Sequence, residues 1–400
     1  MKKLLQILCL AVSVLISFNS IAQSEFQIHP SPGNHPGLKQ VNFIIPEGYK
    51  AFYTKDGTRP NYYSSRLSDI ESINGNTCFS IAIYNKEGIR RDTVASFITD
   101  FKHDIAIISI VSNPANFFDS AVGLFEKGCC ADTIDPYKGA NFWKDWEREI
   151  NVEFIDTNNE IGFNQKAGVK IFGGYSKSMP QKSLAIYARS KYGDNRFRYP
   201  IFPQLEFDKY KNFVLRNGGG DMLAAHARDV FATQLVKETG IDYQEYRPCA
   251  VYINGRYWGL YNIREKINEH FIKAHHGFDK DSLIIMRHKY ERQHGLPYDY
   301  RRTLKYIEKN SLKDTSALNY VSKAIDINNY ILYNILEIYT ANGDAGGNIR
   351  YYKGTNPDTK WKWIFFDLDL GLNTTGKHEV KRNSVEDFTT YSSEQWPNPA

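Results

Sequence analysis

Two short acidic stretches carry side chains that could do chemistry. Asn342-Gly343-Asp344-Ala345-Gly346-Gly347-Asn348 sets a carboxylate and an amide four residues apart in a polar, glycine-rich loop. Trp361 to Phe366 is an apolar run ending in Asp367-Leu368-Asp369, whose two carboxylates share one face if the strand continues. Such a set suits phosphoryl transfer: one carboxylate orients the attacking hydroxyl, while another and an amide oxygen hold a Mg²⁺ that bridges phosphates. Hard oxygen donors favour Mg²⁺ or Mn²⁺ over zinc. Asp-x-Asp after a strand also occurs in haloacid-dehalogenase phosphatases and metal-dependent glycosyltransferases. The phosphatase version lies near the start of its domain, whereas a long mixed α/β stretch precedes it here. The plain alternative for Asp367 is an aspartate capping a turn.

A third stretch, Lys170 to Lys182, contains Gly173-Gly174, the hydroxyl of Ser176 and then Lys182, which enters the strand Ser183 to Ala188. A glycine turn can cover phosphates with backbone N–H groups, and a lysine on the next strand can reach them. Lys182 is favoured over Lys177 because it starts the strand. The plain reading of Gly-Gly between strands is a hairpin.

These residues need elements to hold them. Ala167 to Phe172, Ser183 to Ala188, Asn212 to Arg216, Cys249 to Ile253 and Tyr257 to Ile263 read as strands. Helices are expected over Met222 to Glu238 behind an Asp221 cap, over about Arg264 to His275, and over Asn328 to Tyr339. The last is strongly apolar (Ile331, Leu332, Ile335, Leu336, Tyr339) and is expected to be largely buried. His275 and His276 read as surface residues at a helix C-terminus. Residues 24–110 look all-β, with strands at Val41 to Ile45 and Ser80 to Tyr84. Residues 111–165 are a connecting β region in which Phe142, Trp143 and Trp146 are expected to pack at a junction. The fold class expected is therefore multidomain: an immunoglobulin-like β-sandwich followed by an α+β domain over 166–400.

Met1 to Ala22 reads as a signal peptide: Lys2 and Lys3, an apolar run from Leu4 to Phe18, then Ser20-Ile21-Ala22. That run is shorter than the roughly 20 residues a membrane span needs, so an exported chain without a membrane span is expected. The end at Trp396-Pro397-Asn398-Pro399-Ala400 is expected to be a truncation of the last domain. The net charge of +5 is too mild and too evenly spread for a nucleic-acid partner. Cys78, Cys129, Cys130 and Cys249 allow three disulfide pairings, and no Cys-x-x-Cys or His-Glu-x-x-His pattern supports zinc.

Tyr53-Thr54-Lys55-Asp56-Gly57-Thr58-Arg59-Pro60 resembles the immunoglobulin-like module at the C-terminus of chitobiases and hexosaminidases. That resemblance implies a spacer, or else a glycan contact. Residues 166 to 373 resemble the CotH family of spore-coat protein kinases. The match rests on Gly173-Gly174-Tyr175-Ser176 with Pro180-Gln181-Lys182-Ser183, and on Leu215-Arg216-Asn217 with Arg228. It rests further on Val251 to Tyr261 with its Asn254-Gly255 turn and Trp258-Gly259-Leu260-Tyr261, then Glu265, Asp344, Asn348 and Phe366-Asp367-Leu368-Asp369. The resemblance implies an atypical protein-kinase-like fold binding ATP and a divalent metal. Lys182 would contact phosphates, Asp344 would orient the acceptor hydroxyl, Asn348 and Asp367 would ligate metal with Asp369 in support, and Glu265 would pair with a lysine or line the nucleotide pocket. Arg216 and Arg228 are expected in structural ion pairs, and Asn254 and Gly255 as turn formers. Two features depart from the family. Phe172-Gly173-Gly174-Tyr175-Ser176 replaces its usual Arg-Gly-Asn-Ser, and Asp344 and Asn348 are four apart where conventional kinases place five.

The function expected is thus a secreted kinase that phosphorylates a Ser or Thr hydroxyl of an envelope or surface protein. The alternative is an inactive relative that uses the same scaffold for surface binding or adhesion.

Overall fold

The computed structural model describes residues 25–288, 290–372 and 383–389. The expected signal segment and the Trp396 to Ala400 end lie outside the described residues. The fold is β-rich, and no helix among the described residues is long and apolar enough to cross a membrane.

The chain divides into two compact units that are not contiguous in sequence. One comprises residues 1–130, 148–167 and 250–259; the other comprises 131–147, 168–249 and 260–400. Long-range pairing decides this division, and its boundary at 167/168 lies close to the expected start of the last domain. Arg148–Ile155 pairs antiparallel with Ala106–Val111, which places residues 148–155 in the first unit.

The first unit contains a β-sandwich. One sheet joins Gln27–His29, Gln40–Ile44 and Ile70–Ser72; the other runs Gly33–Asn34, Arg90–Ile98, Thr77–Tyr84, Lys50–Thr54 and Ser65–Arg66. Strict alternation in Gln40–Ile44 buries Val41 and Phe43 and exposes the residues between, as a two-faced strand requires. Those two meet Phe79, Ile81, Ala95 and Phe97 of the facing sheet in one core. The turn at Asp56 forms as its sequence demands: Asp56 Oδ1 accepts from Thr58 N at 2.9 Å, and Gly57 has φ +85°. Asn254 does more than turn the chain. Its amide accepts from Ser112 N (2.9 Å) and donates to Ser112 O (2.8 Å), copying a strand partner, while Asn254 itself sits at φ +49°. No disulfide joins the described cysteines; Cys78 and Cys249 are buried, and Cys129 and Cys130 are exposed.

In the second unit, four strands form an antiparallel ladder in the order β1 (Ile161–Phe172, from Gly168 onward), β2 (Ser183–Tyr187), β3 (Asn212–Arg216) and β4 (Arg256–Arg264, from Leu260 onward). The helix expected from Met222 starts only at Arg228, as α1 (Arg228–Val236). Asp221 is still its organiser, because its carboxylate accepts from Ala225, Ala227 and Arg228 N–H groups across the intervening loop. Helix α2 (Glu269–His276) is capped by Asn268, and α3 (Ile327–Tyr339) by Asp326. A five-stranded sheet has the order Asp242–Tyr243, β6 (Lys362–Phe365), β5 (Arg350–Gly354), Leu283–Arg287, Glu291–His294.

That sheet is covered on both faces. Tyr351, Trp363 and Phe365 join Ala232, Tyr333 and Leu336 in one core, while Tyr352 and Ile364 join Phe271 and Ile272 in another. Helix α3 is amphipathic rather than buried all round: Tyr333, Leu336 and Glu337 face inward, whereas Ile331, Ile335 and Tyr339 are exposed. Asn329 ties α3 to β6, accepting from Trp363 N at 2.6 Å and donating to Trp363 O at 3.3 Å.

Trp363 stacks on Tyr351 at 5.3 Å and meets Tyr330 at 4.8 Å, fully buried. Trp363→Ala is expected to cost about 3–5 kcal/mol, measured by denaturant unfolding. A loss under about 1 kcal/mol would show that this core does not hold β6 in place.

Candidate functional site

The glycine turn closes the β1–β2 ladder, where Phe172 pairs with Ser183. Gly173 has φ +112°, and a Cβ there would lie 2.3 Å from Ser176 Oγ, so glycine is required. Gly174 faces open space. Tyr175–Ser178 then makes one 3₁₀ turn, anchored by Tyr175 Oη donating to the Asp135 carboxylate.

Gly173, Gly174 and Ser176 line a cleft of about 1210 Å³. Its lining carries ten lysines and arginines against five carboxylates, which favours an anionic ligand. Asp344, Asn348, Asp367 and Asp369 line the same cleft. The two acidic stretches, separated by strands β5 and β6, are thus brought together.

Each acidic turn is held by its own chain. Helix α3 ends at Thr340, whose hydroxyl donates to Leu336 O at 2.8 Å, and Ala341 then takes φ +47°. Asp344 O accepts from Gly347 N and Asn348 N, and Asn348 Nδ2 donates to Asp344 Oδ2 at 2.6 Å. Main-chain bonds tie this loop to the second turn: Gly343 N to Leu370 O (3.1 Å) and Leu372 N to Thr340 O (2.6 Å). Asp367 adopts φ +66°, a strained conformation of the kind that marks functional sites.

The carboxylates do not stand alone. The Arg216 guanidinium, at the end of β3, donates to Asp367 and lies 2.9 Å from Asp369 and 3.4 Å from Asp229. Asp229, on α1, is buried; it meets Arg264 at 3.0 Å and accepts from Leu368 N at 3.0 Å. Gly220 N donates to Asp369, and a Cβ on Gly219 would lie 2.2 Å from that carboxylate. Burial, and then the Asp367 charge, push Asp369 up to about 7 against the pull of Arg216. Burial and Asp367 also raise Asp344, opposed by the Asn348 hydrogen bond.

Two expected site residues lie elsewhere. Lys182 does not line the cleft. Its ammonium donates to Lys177 O (2.8 Å) and Met179 O (2.9 Å) and sits 4.0 Å over the Phe142 ring, pinning the glycine turn from beneath. Glu265 faces away from the cleft as well, toward an adjoining cavity of about 280 Å³, accepting from Glu245 N at 3.1 Å and meeting His275 at 2.8 Å. His275 is therefore half-buried and partnered rather than a surface residue, whereas His276 is exposed as expected, 2.8 Å from Asp242.

Asp229, Arg264, Lys266 and Gly218 to Gly220 did not stand out as chemistry in the sequence. Three consecutive glycines after a buried strand were the available signal, since such a run marks close backbone approach. Nothing local distinguished Asp229 from an ordinary first-turn acid.

The donor set fits a Mg²⁺-like ion. Mg²⁺ takes one or two carboxylates together with substrate phosphates, and Asp367, Asp369 and the Asn348 amide supply such donors. Among the described residues no group of three or more His, Cys, Asp or Glu side chains is placed to hold a metal ion.

Asp229→Ala is expected to cost about 3–5 kcal/mol in urea unfolding, because Arg264 is left buried without its carboxylate. A near-neutral result would remove the network from its structural role. A second expectation concerns pH. Burial opposes charging of His275, but the Glu265 hydrogen bond and charge, with Asp242 and Glu245 beyond, overcome it and raise its pKa above the ordinary value. The stability this contributes is full below about pH 6.5 and fades as pH rises through the higher folded pKa. His275→Gln should flatten that part of the stability–pH curve; an unchanged curve would contradict the assignment.

The family model described as CotH kinase protein matches residues 169–399. No curated protein matches the chain. The matched stretch spans more than half of the 400 residues and includes the glycine turn, the Arg216 and Asp229 network and both acidic turns, so the chain belongs to the CotH kinase protein family.

Proposed function

We propose that the protein is an exported atypical protein kinase that transfers the γ-phosphate of metal-bound ATP to a Ser or Thr hydroxyl of an envelope or surface protein. The observation that carries this reading is the convergence, on one basic cleft, of a glycine turn with the Asp344/Asn348 and Asp367/Asp369 turns. Their chain order, glycine turn first and Asp-x-Asp after a strand pair last, is also the order of parts in protein kinases.

In this reading the backbone of Gly173 and Gly174, with the Ser176 hydroxyl, covers the phosphates. Asn348, Asp367 and Asp369 would hold Mg²⁺ or Mn²⁺, which when bound neutralises phosphate charge. Asp344 orients the acceptor hydroxyl and accepts its proton; a carboxylate raised by burial is a better base near neutral pH than a solvated one. The Met1 to Ala22 signal segment supplies export. The N-terminal sandwich serves as a chitobiase-C-terminal-like spacer that carries the kinase unit.

One observation favours the alternative, an inactive binding or adhesion protein. The Arg216 guanidinium already rests on both carboxylates that a metal would use.

Calorimetry on the protein with ATP, with and without Mg²⁺ or Mn²⁺, separates the two readings. Metal-dependent binding is expected, lost in Asp367→Ala and kept in Asp344→Asn. Phosphate transfer to a protein acceptor should fall about 100-fold or more in Asp344→Asn. A folded wild-type protein that binds no nucleotide would sink the kinase reading and leave the binding protein.

A further inference from the structure

Lys182 is spent on the glycine turn, so a phosphate-contacting cation must come from elsewhere if nucleotide binds. Strand β4 ends at Arg264, and Glu265 and Lys266 follow it directly. Arg264 and Lys266 line the cleft while Glu265 does not, and Ile267 to His270 line it as well. Lys266 thus enters the cleft two residues after the arginine that holds Asp229.

Its surroundings are unusual for a lysine. The side chain is half-buried, and its ammonium lies 5.5 Å from the centre of the ring of Phe172, the residue that opens the glycine turn. Among the described residues it has no carboxylate within 4.0 Å and no hydrogen-bond acceptor. Burial holds its pKa below that of an ordinary lysine, against the more distant pull of Glu269 and with further push from Arg350 and Lys170. A half-buried cation without a counter-ion is poorly solvated, and a ligand that brings the missing charge would be favoured beside it. Lys177, the other lysine of the turn, also lines the cleft, but its ammonium lies 5.5 Å from the Trp143 ring, which shares its charge.

We infer that Lys266 is the lysine that binds the phosphates of the nucleotide, meeting them from just past β4 opposite the glycine turn. This rests on the nucleotide reading above. The role deepens that reading by moving the phosphate contact from the loop lysine to a lysine just past β4.

The test uses the full chain and two probes, Mg²⁺-ATP and inorganic tripolyphosphate, with adenosine as a control. Calorimetry compares wild type, Lys266→Met and Lys266→Arg, and thermal unfolding is recorded for each. Lys266→Met is expected to weaken ATP and tripolyphosphate about 10- to 100-fold, as loss of a charge-assisted contact does, and to leave adenosine unchanged. Lys266→Arg should recover most of the loss. The melting temperature of Lys266→Met should hold or rise, because an uncompensated cation has been removed; a purely structural lysine would give a fall. Metal-dependent ATP binding that is equally tight in wild type and Lys266→Met would overturn the inference and leave the kinase reading standing. Tripolyphosphate binding lost in Lys266→Met, with no ATP binding in wild type, would keep Lys266 as an anion site and overturn the nucleotide reading. If wild type binds neither probe, both fall.

Discussion

Asp229 is the point on which the site depends. It is a buried carboxylate that accepts a main-chain N–H from Leu368 while two guanidiniums approach it from the ends of neighbouring strands. A charge in that position survives only if its partners are fixed, since desolvation of each ion costs several kcal/mol before any attraction is regained. The register between β3 and β4 fixes them: Val214 stands opposite Arg264 and Arg216 opposite Asn262, so the two arginines are diagonal neighbours on one face of the ladder. Helix α1 brings the carboxylate, the ladder brings the cations, and the Asp367–Asp369 turn is held where they meet.

The strain at Asp367 follows from this. A left-handed aspartate persists when its surroundings over-determine it. Here the Leu368 N–H is bound by Asp229, the Asp367 carboxylate by Arg216, and the following residues by main-chain bonds to the loop after α3. The two acidic turns therefore behave as one piece. Asn342 extends the arrangement inward, donating at 2.8 Å to Glu337, whose pKa burial pushes up to about 8. The acidic end of the cleft is backed by a second layer of polar groups rather than by solvent.

Much of this was legible in the chain, and the exceptions have physical causes. Asn212–Arg216 was readable to the residue, because a short apolar run bounded by polar residues has few alternatives. Asp344, Asn348, Asp367 and Asp369 stood out as polar loop and strand-end residues beside apolar elements, and all four line one cleft. Lys182 was assigned to phosphate because a lysine opening a strand looks directed, yet direction depends on the Phe142 ring, 40 residues earlier in the chain. Asp229 was silent for the same reason: its partners come from β3, β4 and the Asp367 turn, and no local window contains them. The late start of α1 reflects Asp221, whose carboxylate binds three N–H groups of an irregular loop more effectively than it would cap a helix at once. Helix α3 was read as buried all round because its outward face is as apolar as its inward one.

The pinning of the glycine turn has a thermodynamic consequence. A turn held by an ammonium on two of its own carbonyls, resting on an aromatic ring, has already lost its conformational freedom when the chain folds. Ordering a loop at the moment of association subtracts from affinity, and a loop ordered in advance does not. Its donors are preorganised, so an anion that bound there would be captured without a loop-ordering cost. Residence time in the cleft would then be set by the strength of the contacts, and release would need no hinge.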